Sequence, residues 1–509
     1  VSGSIVDLSR EPPPRELSVE VCIIGSGSGG ATAAWTLASA GKQVLVLEEG
    51  GDFTGLDLTQ RDGAMYDQLY MDRGGRATSD LAIAVLQGRV LGGGGVINAC
   101  DVVPITDAVL RHWQTRHGLA DFSPEALAPY RARALTDLSA NVPGEDQINA
   151  NNQLLREGAR KLGWRGEVML HNRVGCVGTG TCLIGCPVNA KKNPRFVAIP
   201  AALALGARFL LRARAVRIEG GDRELKTIHV RTLDAGGHHE QKSVLVRAKV
   251  VVLAANAVAS AELLLRSGLG NDHVGRHLSL QPQLPVSALF DREVRFFRGI
   301  PQAFAVTEHE RIDEASGLSG FRIESIGGTP GIVASMLPKL GRDGKATMAR
   351  YPNLAAVLCL VPDGPSGRVR VEASGRMRID YAMADEQKLR YRDAARAAAR
   401  IFFAAGAREV QIATTPPVIL RSEADLSSID ALDFAPATAP LISAHQQGSV
   451  RFAPSPNEGA ADPDGCVYGT RDVYVFDSSG FPTTSSSHTM APILTVSRYL
   501  AEKLVSRMG

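Results

Sequence analysis

No stretch of this 509-residue sequence holds the unbroken apolar run of about 18 residues that a membrane-spanning helix needs, so no transmembrane segment is expected. Blocks of like charge are also missing. The 56 Lys and Arg are interspersed with 53 Asp and Glu for a net charge of +3, which argues against nucleic acid or anionic lipid as a partner. Seven cysteines are too few for a disulfide scaffold in so long a chain. There is no internal repeat and no low-complexity tract, so a repeat array is not expected. The first residues are polar and Pro-rich (Pro12, Pro13, Pro14) and lack the apolar core of a signal peptide. That reading places the protein in the cytoplasm, or in the periplasm if a leader has been removed ahead of Val1. What is present is ordinary globular composition, 44% apolar and 21% charged. The length exceeds what one hydrophobic core usually supports, so two interleaved domains are expected.

Apolar periodicity places the elements. Residues 19–24 read as a buried strand, 31–40 as a helix ended by Gly41, and 43–47 as a second strand, which makes one short βαβ unit. Helices are expected over 152–162, 257–267 and 493–505, and strands over 250–255 and 473–476. From about 285 to 440 the pattern becomes strand-rich, with 354–361 and 368–371 as examples. One helix there, 385–405, sets Tyr391, Ala394, Ala398, Phe402 and Ala405 on one stripe and Arg392, Arg396 and Arg400 on another. The arginine stripe reads as a solvated face.

Between the first strand and helix lies Gly25-Ser26-Gly27-Ser28-Gly29-Gly30, a G-x-G-x-x-G pattern. Gly25 permits the tight turn, Gly27 lets backbone approach a pyrophosphate, and Gly30 lets helix and strand pack closely, with Ser26 and Ser28 in the same loop. The helix N-terminus attracts the anion. Glu48 closes the second strand, where a carboxylate accepts hydrogen bonds from an adenosine ribose. A Gly-rich turn also arises by chance, but strand, helix and acid together indicate a dinucleotide. The acid disfavours NADP, whose 2′-phosphate it would repel, and leaves FAD and NAD open.

Four further segments choose between those two. Residues 88–98 (GRVLGGGGVIN) resemble the loop that runs alongside the flavin ring in glucose–methanol–choline (GMC) oxidoreductases. The resemblance puts Gly92, Gly93 and Gly94 where a Cβ would clash with the ring, and Asn98 beside flavin N5. Residues 201–216 resemble the family's strand on which Val216 would meet the adenine. Residues 251–268, followed by 274–278, look like the strand–turn–helix that closes the cofactor domain, with Asn256 where the family usually has Gly. His445-Gln446-Gln447-Gly448-Ser449 resembles H-x-x-G-T, and the segment from Pro482 to His488 follows it. By that resemblance His445 and His488 face the flavin ring, and Asp477 contacts the ribityl chain or pyrophosphate. Two departures stand out. Arg451-Phe452-Ala453 replaces R-M-G, and counting back from Thr495 would put Ala491, not His488, in the second slot. The spacing from Pro482 favours His488, and Ala has no chemistry to offer.

The resemblance implies an FAD-dependent oxidoreductase that takes hydride from a primary or secondary alcohol onto flavin N5 and passes electrons to oxygen or another acceptor. Such a reaction needs the hydroxyl proton removed, which a neutral imidazole can do, and the oxygen held in place. His445 is expected as the base and His488 as the orienting partner, though the two could be exchanged. No His lies in residues 92–98, so FAD is expected to be held non-covalently. Cys176, Cys182 and Cys186 have ligand-like spacing, and resemble the segment that holds a 3Fe–4S cluster in membrane-associated bacterial sugar dehydrogenases of the family. With Ala190-Lys191 following, they also resemble cholesterol-oxidase-like and long-chain alcohol oxidase members; free thiols or one disulfide remain open. No other metal ligands are expected.

The fold class expected is α/β (α+β overall). A Rossmann-like FAD-binding domain would come from about 1–105, 205–285 and 440–509, the last carrying the His block. A substrate domain on a largely antiparallel sheet would come from about 106–204 and 286–439. Three rivals share parts of this pattern: an NAD-dependent dehydrogenase, a lyase or light-driven decarboxylase of the same fold, and a 3Fe–4S dehydrogenase subunit serving a cytochrome.

Overall fold

The computed structural model describes residues 3–337 and 340–509. Its first sheet forms because several segments are apolar at consecutive positions, the pattern of strands covered on both faces. Val21, Cys22, Ile23 and Leu45 are fully buried there. Strand Glu16–Ile24 lies parallel to Val44–Glu48 on one side and to Glu240–Leu253 on the other. Eight strands build this sheet, with Val473–Val475 joining in parallel beside residues 251–253. Helix Ser28–Ser39 follows the first strand. The C-terminal helix Met490–Met508 packs against it, with Ser497 Oγ donating to Gly29 O at 2.8 Å.

The second sheet has nine strands. Gly166–Val168, Phe304–Val306, Arg322–Ser325, Leu354–Leu360, Gln283–Leu289, Glu409–Ile412 and Val418–Leu420 run antiparallel to their neighbours. Leu441–Ser443 adds to its edge and pairs in parallel with Ile83–Val85. The sheet is thus largely antiparallel, as expected. Helix Asp385–Ala404 covers it with Tyr391, Ala394, Ala398 and Phe402, all fully buried. Its arginine stripe differs from expectation. Arg392 donates to Leu432 O at 2.7 Å and Arg396 to Asp430 at 2.5 Å, so the segment Glu423–Ala431 lies over that face. Among the described residues, no helix is long and apolar enough to cross a membrane.

Two elements depart from the sequence reading for physical reasons. Strand Glu240–Leu253 begins well before residue 250, because residues 240–243 are polar and 244–249 alternate between buried and less buried positions, and this half pairs with the antiparallel strand Lys226–Leu233. A search for unbroken apolar runs finds only its doubly covered end. Residues 201–216 are not one strand either. They fold as the end of helix Ala198–Ala204, then Arg208–Leu211, then the start of Ala213–Glu219.

Phe402 holds the covering helix to its sheet, its ring 6.3 Å from Phe290 in an edge-on arrangement. Phe402→Ala is expected to cost about 3–5 kcal/mol of stability. The midpoint of urea unfolding at unchanged slope checks this.

Candidate active site

A cavity of about 860 Å³ is lined by residues of both sheets. Of the residues singled out from sequence, Gly25, Ser26, Gly27, Ser28, Glu48, Gly93, Gly94, Asn98, Val216, Asp477, His445 and His488 line it. Gly30 and Gly92 do not. Gly30 packs on the Gly25 carbonyl and Gly92 against Arg195, so both shape the loops from behind.

The loop is built outward from Glu48. Its Oε2 accepts from Ser26 Oγ at 2.5 Å and Ser26 N at 3.1 Å, and its Oε1 from Gly50 N at 2.7 Å. Burial pushes this carboxyl up, and those three hydrogen bonds oppose the shift. Most of the acid's hydrogen-bonding capacity is therefore spent bracing the loop, a role the ribose-binding expectation did not include. Ser26 Oγ in turn accepts from Gly92 N at 3.1 Å, which ties the two glycine-rich loops together. They meet where Gly93, at φ +59°, lies so close to Gly27 that a Cβ would sit 2.6 Å from its Cα. A side chain there would force the loops apart. Gly27 precedes helix Ser28–Ser39 and no side chain caps the helix, so its first amides are left for an anion.

Further along the cavity, the register of Ala213–Glu219 shifts between Ala215 and Arg217, which makes Val216 the extra residue of a bulge. A bulged residue is left out of the ladder, so Val216 presents its backbone to the cavity. Asn256, where the family resemblance expected Gly, sits at φ +81°, a region Asn tolerates better than most residues. Its Oδ1 accepts from Val258 N and Ala259 N and so starts helix Asn256–Ser267. Asp477 holds that turn, accepting from Asn256 N at 3.0 Å, Ser260 Oγ at 2.6 Å and Ser479 N at 2.8 Å.

The two histidines meet at the cavity wall. Their ring centroids are 4.9 Å apart with planes at 73°. Gln447 joins the segments that carry them, its Oε1 accepting from Ser485 N at 2.9 Å and Ser485 Oγ at 2.6 Å. Gly448 is needed beside it, because at φ +75° a Cβ would sit 2.0 Å from His277 O. His445 is half-buried, with Nδ1 3.1 Å from the Gln283 side-chain amide. His488 Nε2 lies 2.9 Å from Glu324 Oε2. Glu324 is fully buried and also accepts from Gln302 and from Arg322 Nε, the latter at 2.6 Å. Arg322 continues the chain to Glu310 at 3.2 Å and Glu167 at 3.0 Å.

These partners drive the two imidazoles apart electrostatically. Burial, then the charge of His488, pushes His445 down to about 3, so it is neutral near pH 7. Burial alone would lower His488 too, but the Glu324 carboxylate more than offsets that and raises it. Burial would raise Glu324, yet the charges of His488 and Arg322 hold it at about 2.

With this geometry in place, the comparisons decide the family. A GMC oxidoreductase model matches residues 66–283 and a second GMC oxidoreductase model matches 363–497, while a model of an NAD(P)-binding Rossmann-like domain matches 23–82. The chain belongs to the GMC oxidoreductases. It is 33% identical to an uncharacterized GMC-type oxidoreductase of Mycobacterium tuberculosis over 97% of this chain and 77% of that one. Similarity to a long-chain-alcohol oxidase of Arabidopsis thaliana is 27% identity over 98% of this chain and 70% of the relative. The fold resembles pyridoxine 4-oxidase from Mesorbium loti, with a TM-score of 0.70 at 17% identity, covering 95% of this chain and 99% of that one. This oxidoreductase is therefore a flavoprotein by family, with FAD as its cofactor.

The sequence reading missed Glu324, Arg322, Gln302 and Gln283. One signal was available. Arg322 and Glu324 alternate with Ile323 in the short buried strand Arg322–Ser325, which puts two charges on one of its faces. The iron–sulfur expectation is corrected. Cys176, Cys182 and Cys186 do not converge, and among the described residues no three His, Cys, Asp or Glu side chains are placed to hold a metal ion. Cys182 turns inward, while Cys176 and Cys186 stay half-buried and accept from Gly178 N and Ala190 N at 3.4 and 3.3 Å. All seven cysteines are free, so the disulfide alternative fails as well. Ala491 does not line the cavity and His488 does, which agrees with the choice of His488.

The His488–Glu324 pair makes stability depend on pH. Glu324, depressed from 4.5, contributes fully above that value and loses its contribution as pH falls towards about 2. His488, raised from 6.5, contributes fully below that value and loses its contribution as pH rises through its elevated pKa. The difference in unfolding free energy between the parent protein and Glu324→Gln is thus expected to be largest between pH 4.5 and 6.5. Denaturant unfolding across that range and on either side of it is the check.

Proposed function

We propose that this oxidoreductase oxidises a primary or secondary alcohol, with His445 as the base and His488 as the group that holds the substrate oxygen. The observation that carries the reading is the pair of imidazoles at one cavity wall whose surroundings push their proton affinities in opposite directions. His445 is neutral, and His488 is drawn towards imidazolium by Glu324.

FAD, when bound, supplies a ring that accepts hydride. The residues present fit it. The uncapped helix after Gly27 suits a pyrophosphate, the bulge at Val216 suits an adenine, and the side-chain-free contact of Gly27 with Gly93 leaves room for a flat ring system close to backbone. Asn98 and Asp477 line the same space. We read the attachment as non-covalent. The domain division proposed is cofactor-binding from about 1–105, 205–285 and 440–509, and substrate-binding from about 106–204 and 286–439.

His445 meets Gln283 through Nδ1, which leaves Nε2 for the substrate hydroxyl. The structure sets Gln283 Nε2 against Nδ1; the base role requires that amide reversed, so that its oxygen accepts from Nδ1–H and Nε2 keeps its lone pair. A base held near 3 is weak, but it is not asked to deprotonate a resting alcohol. As hydride leaves carbon the hydroxyl becomes that of a protonated carbonyl, far more acidic than imidazolium, and the proton moves to Nε2 readily. His488 meets Glu324 through Nε2, so its Nδ1 is the atom left to steady the oxygen.

The alcohol proposed is one with an extended apolar chain. Ile326, Ile332, Val333, Met336, Leu337 and Leu354 line the cavity and offer no hydrogen bond. They lie between the two GMC matches, in residues 284–362, where substrate preference can vary without disturbing the shared machinery. The name of the long-chain-alcohol oxidase relative supports the same chemistry and favours oxygen as the acceptor.

His445→Ala is expected to lower kcat by about a hundredfold or more, the usual worth of a general base, while the purified variant keeps its flavin absorbance. An unchanged kcat would remove His445 from the reaction. Across linear primary alcohols, kcat/KM is expected to rise about fourfold per added methylene until the wall is filled, from roughly 0.8 kcal/mol per buried CH₂. Val333→Asp should flatten that slope.

A further inference from the structure

Behind the cavity wall lies a buried cluster that the reaction above does not use. Cys100 and Cys182 come from distant segments that two buried cations, Arg173 and Lys191, hold side by side, and each thiol acts electrostatically on the other. Both are buried and free. The Arg173 guanidinium lies 3.7 Å from Cys182 Sγ and also donates to Ala99 O, while its Nε is buried without a hydrogen-bond partner. Lys191, 2% exposed, donates to the carbonyls of Val96, Asn98 and Cys182 at 2.8, 2.6 and 2.6 Å. Asp101 lies at the edge of the group, 3.2 Å from His171. Two buried cations therefore surround a pair of thiols, and such surroundings favour a thiolate, the form that attacks oxidants.

The position is as telling as the composition. Ala99 and Asp101 flank Cys100, Leu183 follows Cys182, and all three line the cavity. Each cysteine is thus the chain neighbour of a cavity-lining residue.

We propose that Cys100 and Cys182 form a peroxide-responsive dithiol–disulfide pair. The Cys182 thiolate attacks one oxygen of hydrogen peroxide and the O–O bond breaks. Cys182 becomes a sulfenic acid, and the departing hydroxide takes a proton to leave as water. The Cys100 sulfur, losing its proton, then attacks the sulfenic sulfur. The S–O bond breaks, a second water leaves, and the S–S bond forms. Two thiols lose two electrons and the peroxide gains them. The disulfide ties the Asn98 segment to the 176–186 loop. Asn98 lines the cavity and its Oδ1 accepts from Cys100 N at 3.2 Å, so oxidation tugs directly on the cofactor loop. The pair as a peroxide target stands on these residues alone. Only the idea that turnover itself supplies the peroxide rests on the proposed function.

Thiol counting and peptide mapping on the reduced holoprotein, with no alcohol present, test this. After hydrogen peroxide treatment and denaturation, free thiols are expected to fall from seven to five, with a Cys100–Cys182 cross-linked peptide that dithiothreitol reverses. Cys100→Ser should trap a dimedone-reactive sulfenic acid at Cys182, and Cys182→Ser should leave Cys100 reduced. Seven thiols surviving treatment would overturn the proposal, as would a disulfide from Cys182 to Cys176 or Cys186. Should either variant lose its flavin, mapping of the parent protein still decides. A failed alcohol assay would not touch this result, nor would a failed mapping touch the alcohol chemistry.

Discussion

A buried chain of charges, His488–Glu324–Arg322, is the constraint on which the rest of the structure depends. Its members come from different parts of the fold: Glu324 and Arg322 from a strand of the second sheet, His488 from the segment just before the C-terminal helix. Taking these groups out of water is costly, and breaking such a chain by removing one partner typically costs about 3–5 kcal/mol because the other is left charged and unpaired. Glu324 bridges His488 and Arg322, and Arg322 continues the chain to Glu310 and Glu167. The loss of any one would leave a charge stranded, so the chain fixes how the His block sits against the second sheet.

The same chain divides labour between the histidines. Two imidazoles at a 4.9 Å ring separation cannot both be charged at low cost. Glu324 claims the proton for His488, and His445 is left neutral. One cavity wall thus sets two imidazoles of unlike proton affinity side by side, while Val333, Met336 and Leu354 line an apolar part of the same cavity. On the side we propose for the cofactor the arrangement is one of backbone: the uncapped helix, the bulge at Val216 and the side-chain-free contact of Gly27 with Gly93.

Legibility in the sequence followed the same division. Where function is carried by backbone, glycines and spacing betray it, and the βαβ unit, the G-x-G-x-x-G loop and the second glycine-rich loop were readable. His445 and His488 were readable only because neighbouring residues resembled a family pattern; a bare histidine would not have been. Gln283 was not readable, and Glu324 only as a charge alternating along a short strand, since their partners are brought in by strand pairing across long separations. The cysteines show the converse error. Spacing suggested that Cys176, Cys182 and Cys186 belong together, but the chain turns only Cys182 inward, where Arg173 links it to the segment at Ala99. Glu48 lines the cavity, and the protein groups it accepts from are Ser26 and Gly50.

The central claim is that an alcohol held by this histidine pair delivers hydride to a flavin in the same cavity. The most direct measurement is the visible spectrum of the purified protein before and after anaerobic addition of a long-chain primary alcohol. The account predicts the two absorption bands of oxidised flavin at the start and their loss on mixing, with no other reagent added. Bands that persist at saturating alcohol across chain lengths, or a folded protein that neither carries nor takes up flavin, would contradict it.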